Sequence, residues 1–219
     1  MAGGVKRAYD ATWGRAFAAM YDRALAGTEE AGMRDRRREL IADARGRTVE
    51  LGAGTGLNFE HYTGEVDELV LTEPFEPMAR RLRARALAGD GSRRVSVVEA
   101  PADRLPIEDR WADTVVCTLV LCTVDDLPAT LAEAARILKP GGRFLFAEHV
   151  RSDDPGLARW QDRLETPWKV FGHGCRCNRD MVAAISDSPL EVESVDLGTL
   201  PKAAPIIRPL AVGSAIRPT

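Results

Sequence analysis

Thr48-Val49-Glu50-Leu51-Gly52-Ala53-Gly54-Thr55-Gly56 decides how the rest of the chain is read. Four residues of strand character run straight into three glycines at alternate positions. Glycine lets the main chain turn sharply and lets a ligand lie against bare backbone. A helix starting just beyond such a turn aims the positive end of its dipole at that ligand. In open α/β sheets ligands bind outside the carboxyl ends of the strands, which is where this turn falls. Dinucleotide enzymes use a similar turn, but the spacing here is G-x-G-x-G rather than G-x-G-x-x-G, and Glu50 precedes the first glycine. An acid at that place suits the amino end of an amino-acid-like ligand and sits badly beside a pyrophosphate. A second acid, Glu73, follows about 20 residues on, where a carboxylate accepts ribose hydroxyls under either reading.

Outward from the turn, strand-like and helix-like segments alternate. Residues 68–72, 95–98, 114–121 and 143–147 read as strands, and the β-branched run at 114–121 as one buried on both faces. Pro77 opens a helix with Met78, Leu82 and Ala86 on one face. Asp125 or Asp126 caps another, through Leu127, Leu131, Ala135 and Leu138, which stops at Lys139-Pro140-Gly141-Gly142. Upstream, Tyr9, Trp13, Phe17 and Tyr21 recur at four-residue spacing along a first helix. A second carries Met33, Leu40, Ile41 and Ala44 inward and ends near Gly46. Downstream, 155–170 and 178–186 read as helices and 190–197 and 206–216 as closing strands, the last at an edge or bulged because of Pro209.

The pattern predicts an α/β fold: a Rossmann-like, doubly wound, mostly parallel seven-stranded sheet with helices on both faces and an N-terminal helical lid. Residues 1–219 are expected to form one domain, with 1–45 as lid, 46–150 as cofactor core, and 151–219 as acceptor-pocket helices and closing strands.

Composition bounds the function. The chain has 219 residues, 45% hydrophobic and 29% charged, enough for a sizeable core. A net charge of -3, from 30 basic and 33 acidic residues, argues against a polyanionic partner such as nucleic acid. The arginine runs at 36–38 and 80–85 read as solvated helix faces. No secretory signal begins the chain, and the apolar run at 115–124 is far short of the ~20 residues of a spanning helix. No stable membrane anchor and a cytoplasmic setting are therefore expected, with all four cysteines as thiols.

Five ordered motifs carry a family resemblance: Glu50-Leu51-Gly52-Ala53-Gly54-Thr55-Gly56, Thr72-Glu73-Pro74, Ala102-Asp103-Arg104-Leu105-Pro106, Trp111-Ala112-Asp113 and Leu138-Lys139-Pro140-Gly141-Gly142. In these the chain resembles the class I S-adenosylmethionine-dependent methyltransferases, of the type 11 group. Cys117-Thr118-Leu119-Val120-Leu121-Cys122, Glu148-His149-Val150 and residues 174–180 are similar to a subgroup of small thiol S-methyltransferases and phospholipid N-methyltransferase relatives. The resemblance implies S-adenosyl-L-methionine as cofactor and S-adenosyl-L-homocysteine as product. Glu50, Gly52, Ala53, Gly54, Thr55, Gly56 and Asn58 would hold its methionine part, and Glu73 with Pro74 the ribose. Met78 and Ala102 would meet the adenine, and Thr118, Leu119 and Val120 the cofactor's other side. The common pattern has Gly-Asp-Ala before the adenine contact. This chain has Ala100-Pro101-Ala102, which leaves Asp103 to supply the carboxylate.

A small-molecule acceptor, a thiol by resemblance, is expected, with phospholipid and other small N- or O-acceptors as alternatives. A nicotinamide dehydrogenase is disfavoured by the glycine spacing and by the lack of a Tyr-x-x-x-Lys pair; a non-catalytic cofactor-binding module is a further alternative. His149, following the fifth strand at the ligand-bearing edge, is the candidate base. Tyr9 or Trp13 could touch the ligand if the aromatic stripe closes as a lid. His173, Cys175 and Cys177 alternate, yet a structural zinc wants four ligands, so no metal is expected. Oligomeric state is not written in these residues.

Overall fold

The computed structural model describes residues 8–89, 91 and 93–219. Its sheet comprises β1 (Gly46–Leu51), β2 (Val66–Thr72), β3 (Arg94–Val98), β4 (Ala112–Thr118), β5 (Leu138–His149), β6 (Glu191–Thr199) and β7 (Pro209–Ile216). They lie in the order β3-β2-β1-β4-β5-β7-β6. The first five run parallel, and β7 lies antiparallel between β5 and β6. From β1 the chain winds outward to β2 and β3, then crosses back to β4 and winds the other way. That reversal opens a crevice between β1 and β4, and the glycine turn emerges at its mouth.

Among the described residues, six α-helices cover the sheet: α1 (Arg15–Thr28), α2 (Arg34–Ile41), α3 (Glu76–Leu87), α4 (Leu127–Ile137), α5 (Pro155–Phe171) and α6 (Met181–Ser186). The period-2 alternation of the strands decides which side chains meet which helices. Val49, Leu51, Val115, Cys117, Phe144 and Phe146 pack with Leu131 and Ala134 of α4 and Met181 and Ile185 of α6. Their neighbours Leu69, Leu71, Val116 and Leu145 are covered from the opposite face by Leu40 and Ile41 of α2 and Leu82 of α3. Both faces are thus helix-covered, as the near-continuous apolar strands require.

Sequence expectations change in detail at several points. The helix expected just beyond the glycine turn is only a 3-10 turn at Phe59–His61, so no α-helix dipole is aimed at that turn. The strand expected to run to residue 121 ends at Thr118, and Leu119 takes a left-handed φ of 59°. The cause is Glu148, whose Oε1 accepts the N–H groups of Val120 and Leu121 at 2.8 and 3.1 Å and draws the chain off the sheet. Pro209 does not mark an edge: β7 is interior, and the proline is its first residue, where a missing N–H disturbs no ladder. The edge at this end of the sheet is β6. The helix expected from Asn178 starts at Met181, where Asp180 accepts from the Ala183 N–H at 3.0 Å. The N-terminal helices are broken by wide π turns at Asp10–Gly14 and Glu29–Met33, the second kinked at Gly32.

Tight packing of β7 against β6 gives a test. A Cβ on Gly213 would lie 2.1 Å from the Ser194 carbonyl oxygen and 2.8 Å from Phe146. Gly213→Ala should therefore destabilise the fold by about 1–3 kcal/mol, read as a lower midpoint in urea. An unchanged midpoint would show that β6 yields freely.

Candidate active site

The glycine turn is fixed by β2 and the acid that follows it. Gly52 N–H donates to Thr72 Oγ1 at 3.3 Å, Ala53 N–H to the Thr72 carbonyl at 2.7 Å, and Gly54 N–H to Glu73 Oε2 at 2.9 Å. Glu73 Oε1 also accepts from Phe75 N–H at 2.8 Å, so one carboxylate joins the turn to the entry of α3. Burial is the larger influence on Glu73 and raises its pKa, against the pull of those two amides. Gly52 and Gly54 both have positive φ, 55° and 58°. A side chain on Gly52 would strike Val120 Cγ1 at 2.7 Å, whereas at Gly54 the nearest atom is 4.0 Å away. The second glycine therefore presents open backbone, a cradle that any Cβ would fill.

Around this turn lies a small cavity of about 40 Å³, lined by Tyr21, Arg37, Glu50, Gly52, Ala53, Gly54, Thr55, Leu57, Asn58, Thr118 and Leu119. Most are residues expected from the sequence. Glu50 is buried, its Oε1 accepting from Asn58 Nδ2 at 2.9 Å and its Oε2 from the Tyr62 hydroxyl at 2.8 Å. Desolvation outweighs these bonds and raises its pKa to about 7. A wider cleft of about 360 Å³, lined by Arg15, Ala18, Ala19, Pro77, Arg80 and Arg81, contains none of the motif residues and is not the site.

Other expected residues stand apart from this cavity. Gly56 packs on α3, where a Cβ would meet Leu82 at 2.8 Å. Met78 and Ala102 are buried, Pro74 and Asp103 are exposed, and Val120 backs Gly52. Tyr9 donates to the Val170 carbonyl at 2.6 Å and stacks on His173, and Trp13 donates to the Phe171 carbonyl at 3.1 Å. The π turn at Asp10–Gly14, which contains Trp13, breaks the helix carrying the stripe, and the aromatic that lines the cavity is Tyr21. Its burial pushes the phenol up to about 12, which keeps it protonated.

His149 ends β5 beside the turn Pro205–Ile207, almost fully buried, with its Nδ1 lacking a hydrogen-bond partner among the described residues. The neutral-pH titration expected of it is not found: desolvation lowers its pKa to about 4, despite a bond to the Ile207 backbone. Cys175 and Cys177 are buried thiols, and no group of three potential metal-ligating side chains occurs among the described residues.

Two residues, one lining the cavity and one bonded to its wall, escaped sequence reasoning. Arg37 lies inside an arginine run expected to face water, yet it is 3% exposed and ion-paired with Glu29 at 3.1 Å. Asp22 of α1 holds Thr55 through its Oδ1 and Arg85 of α3 at 3.3 Å, tying the N-terminal segment to the glycine turn. The helical spacing of Arg37 with the inward-facing Met33, Leu40 and Ile41 was the available signal.

A bare turn at the sheet's reversal, with a buried acid beside it, defines a Rossmann-like enzyme for an amino-acid-bearing nucleoside. Residues 49–146 match the family model described as "Methyltransferase domain". The chain is 31% identical over 201 residues to thiol S-methyltransferase TMT1B of Homo sapiens, covering 84% of this chain and 80% of that protein. It is 34% identical over 159 residues to TMT1B of Rattus norvegicus, covering 68% of this chain and spanning 64% of the rat protein's length. The fold superimposes on an S-adenosylmethionine-dependent methyltransferase from Mesorhizobium loti with a TM-score of 0.63 and 21% identity, over 87% of this chain and 100% of that one. The chain belongs to the S-adenosylmethionine-dependent methyltransferase family. Its cofactor is accordingly S-adenosylmethionine, and the Gly54 cradle and Glu50 fit the amino-acid end of that molecule.

The state of Glu50 sets a pH dependence. An ammonium beside it favours the ionised form, so below about pH 7 binding must expel a proton. Cofactor affinity should rise with pH, by at most ~10-fold per unit, and level off above about 7. Glu50→Gln should flatten this profile. Calorimetry in buffers of different ionisation heat measures the proton; a flat wild-type profile would separate Glu50 from the ammonium.

Proposed function

We propose that this enzyme methylates the sulfur of a small thiol. The observation that carries the reading is the reach of the similarity. The alignment with the human thiol S-methyltransferase spans 201 residues, well beyond the 49–146 of the methyltransferase-domain match, and so takes in elements outside the cofactor core, which this reading assigns to the acceptor side.

S-adenosylmethionine supplies a methyl group on a sulfonium that leaves readily, so the protein chiefly has to position the acceptor and exclude water; positioning alone is worth ~7–11 kcal/mol. Glu50, Gly52, Ala53, Gly54, Thr55 and Asn58 hold the methionine end, Glu73 with Pro74 the ribose, and Met78, Ala102 and Asp103 the adenine. Thr118, Leu119 and Val120 form the opposite wall, where Glu148 sets the backbone path. Residues 1–45 act as a lid on a core of 46–150, with 151–219 shaping the acceptor pocket in one domain; Tyr9 belongs to the lid, where it stacks on His173.

His149 receives the acceptor's proton through its free Nδ1. Burial keeps the ring neutral, which leaves that lone pair available, and also makes it a weak base. Proton transfer to such a ring is uphill even for a thiol with pKa near ~8.5, but less so than for a phenol near ~10 or an ammonium near ~10.4. A cytoplasmic setting suits the four cysteines, all of them thiols. No helix among the described residues is long and apolar enough to cross a membrane.

Release of S-adenosylhomocysteine is the assay, with thiols, phenols, amines and phospholipids offered in parallel. Thiols should turn over fastest; activity confined to phenols or lipids would overturn the thiol reading. His149→Ala should reduce turnover about 10²–10⁴-fold with cofactor affinity little changed. With the ring at about 4, the wild-type rate should show no imidazole inflection near pH 6.5 and should instead rise with acceptor ionisation. Equal rates for the wild type and His149→Ala would remove His149 from the mechanism.

A further inference from the structure

We infer that Arg37 is the receptor for the cofactor's α-carboxylate, and that it makes the site select a carboxylate-bearing sulfonium nucleoside over its decarboxylated counterpart. The inference rests on S-adenosylmethionine being the cofactor and names a residue that no sequence motif supplies.

The three successive arginines of α2 behave differently. Arg36 pairs outward with Asp196 at 3.3 Å and Arg38 with Asp35 at 2.8 Å, both in partly or fully exposed settings. Arg37 turns inward and is the one basic side chain among the residues lining the cavity. A guanidinium is always charged and carries five donors in a fixed fork. Arg37 Nε faces both oxygens of Glu29, at 3.1 and 3.2 Å, which anchors the fork and balances its charge. Nη1 is directed at neutral acceptors instead, Asn58 Oδ1 at 2.9 Å and Thr118 Oγ1 at 3.0 Å. The end of the fork that meets the cavity is therefore held by weaker partners than a carboxylate, which can engage a guanidinium with two parallel bonds.

Asn58 shows why this end belongs to the amino acid. Its carboxamide donates through Nδ2 to Glu50 and accepts through Oδ1 from Arg37. An anion and a cation thus flank one small amide along a single wall of the cavity. An α-amino acid carries the complementary pair on one carbon: its ammonium would meet Glu50 and its carboxylate Arg37. Without the carboxylate, the same ligand would cover a guanidinium and offer it nothing.

The rival role for Arg37 is mechanical, tying α2 to Asn58 and Thr118. Binding of S-adenosylmethionine and of its decarboxylated analogue, both measured by calorimetry, separates the two. The wild type should prefer S-adenosylmethionine. Arg37→Gln should weaken S-adenosylmethionine roughly 10–100-fold and the analogue by less than about 3-fold, so that the preference vanishes. Because Arg37→Gln leaves Glu29 buried without its partner, the double variant Glu29→Gln/Arg37→Gln repeats the measurement with no stranded charge. Arg37→Lys, which keeps the charge and loses the fork, should restore part of the preference. Equal weakening of both ligands, or a wild type indifferent to the carboxylate, would overturn the assignment. A wild type that binds neither sulfonium would fail at the cofactor itself, a distinguishable result.

Discussion

Three consecutive amides, those of Gly52, Ala53 and Gly54, are all captured by the last residue of β2 and the acid after it. This is the constraint on which the site depends. A turn that donates its N–H groups sideways to the neighbouring strand cannot also wrap them around a phosphate, so the pyrophosphate reading of a Gly-rich turn is closed off by hydrogen bonding as well as by spacing. The same bonds bring the two acids to one end of the sheet. Glu50 ends up beneath the turn, and Glu73 beside it at the mouth of α3.

A third carboxylate completes the site from the other side. Glu148 is fully buried, and burial raises its pKa to about 7 even though Val120, Leu121 and Cys117 all donate to it. It gathers the amides that β4 relinquishes when the chain leaves the sheet after Thr118. Each wall of the crevice is thus shaped by an acid from the adjacent strand: Glu73 after β2 for the β1 turn, Glu148 on β5 for the β4 turn. Buried carboxylates are expensive. Here both are offset by backbone donors that would otherwise be orphaned at the strand ends.

Most of the sheet was legible in the sequence because its parallel strands are apolar on both faces and are punctuated by Gly, Pro and capping Asp residues. The end of β4 was not, since Leu119-Val120-Leu121 continues an apolar run and nothing local marks the turn; the signal is a glutamate 28 residues later. Pro209 misled in the opposite direction, a local rule about edges giving way to a strand that begins at the proline. In the site, the glycines and Glu50 were readable from spacing, as chain neighbours are. Arg37 was missed because charge runs on helices usually face solvent, although its spacing with Leu40 and Ile41 puts it on the inward face, where Asn58 meets it. The place of His149 at the end of β5 was readable, but its acid–base state depends on packing that no motif encodes.

Tyr21, Asp22 and Arg37 press the N-terminal helices onto a cavity of about 40 Å³, an order of magnitude below the ~300–1,000 Å³ of ordinary small-molecule pockets. If those helices act as the proposed lid, admission of a nucleoside waits for them to swing away. Entry would be governed by the lifetime of the shut conformer, and the observed association rate would saturate with rising ligand concentration instead of climbing toward the diffusion limit.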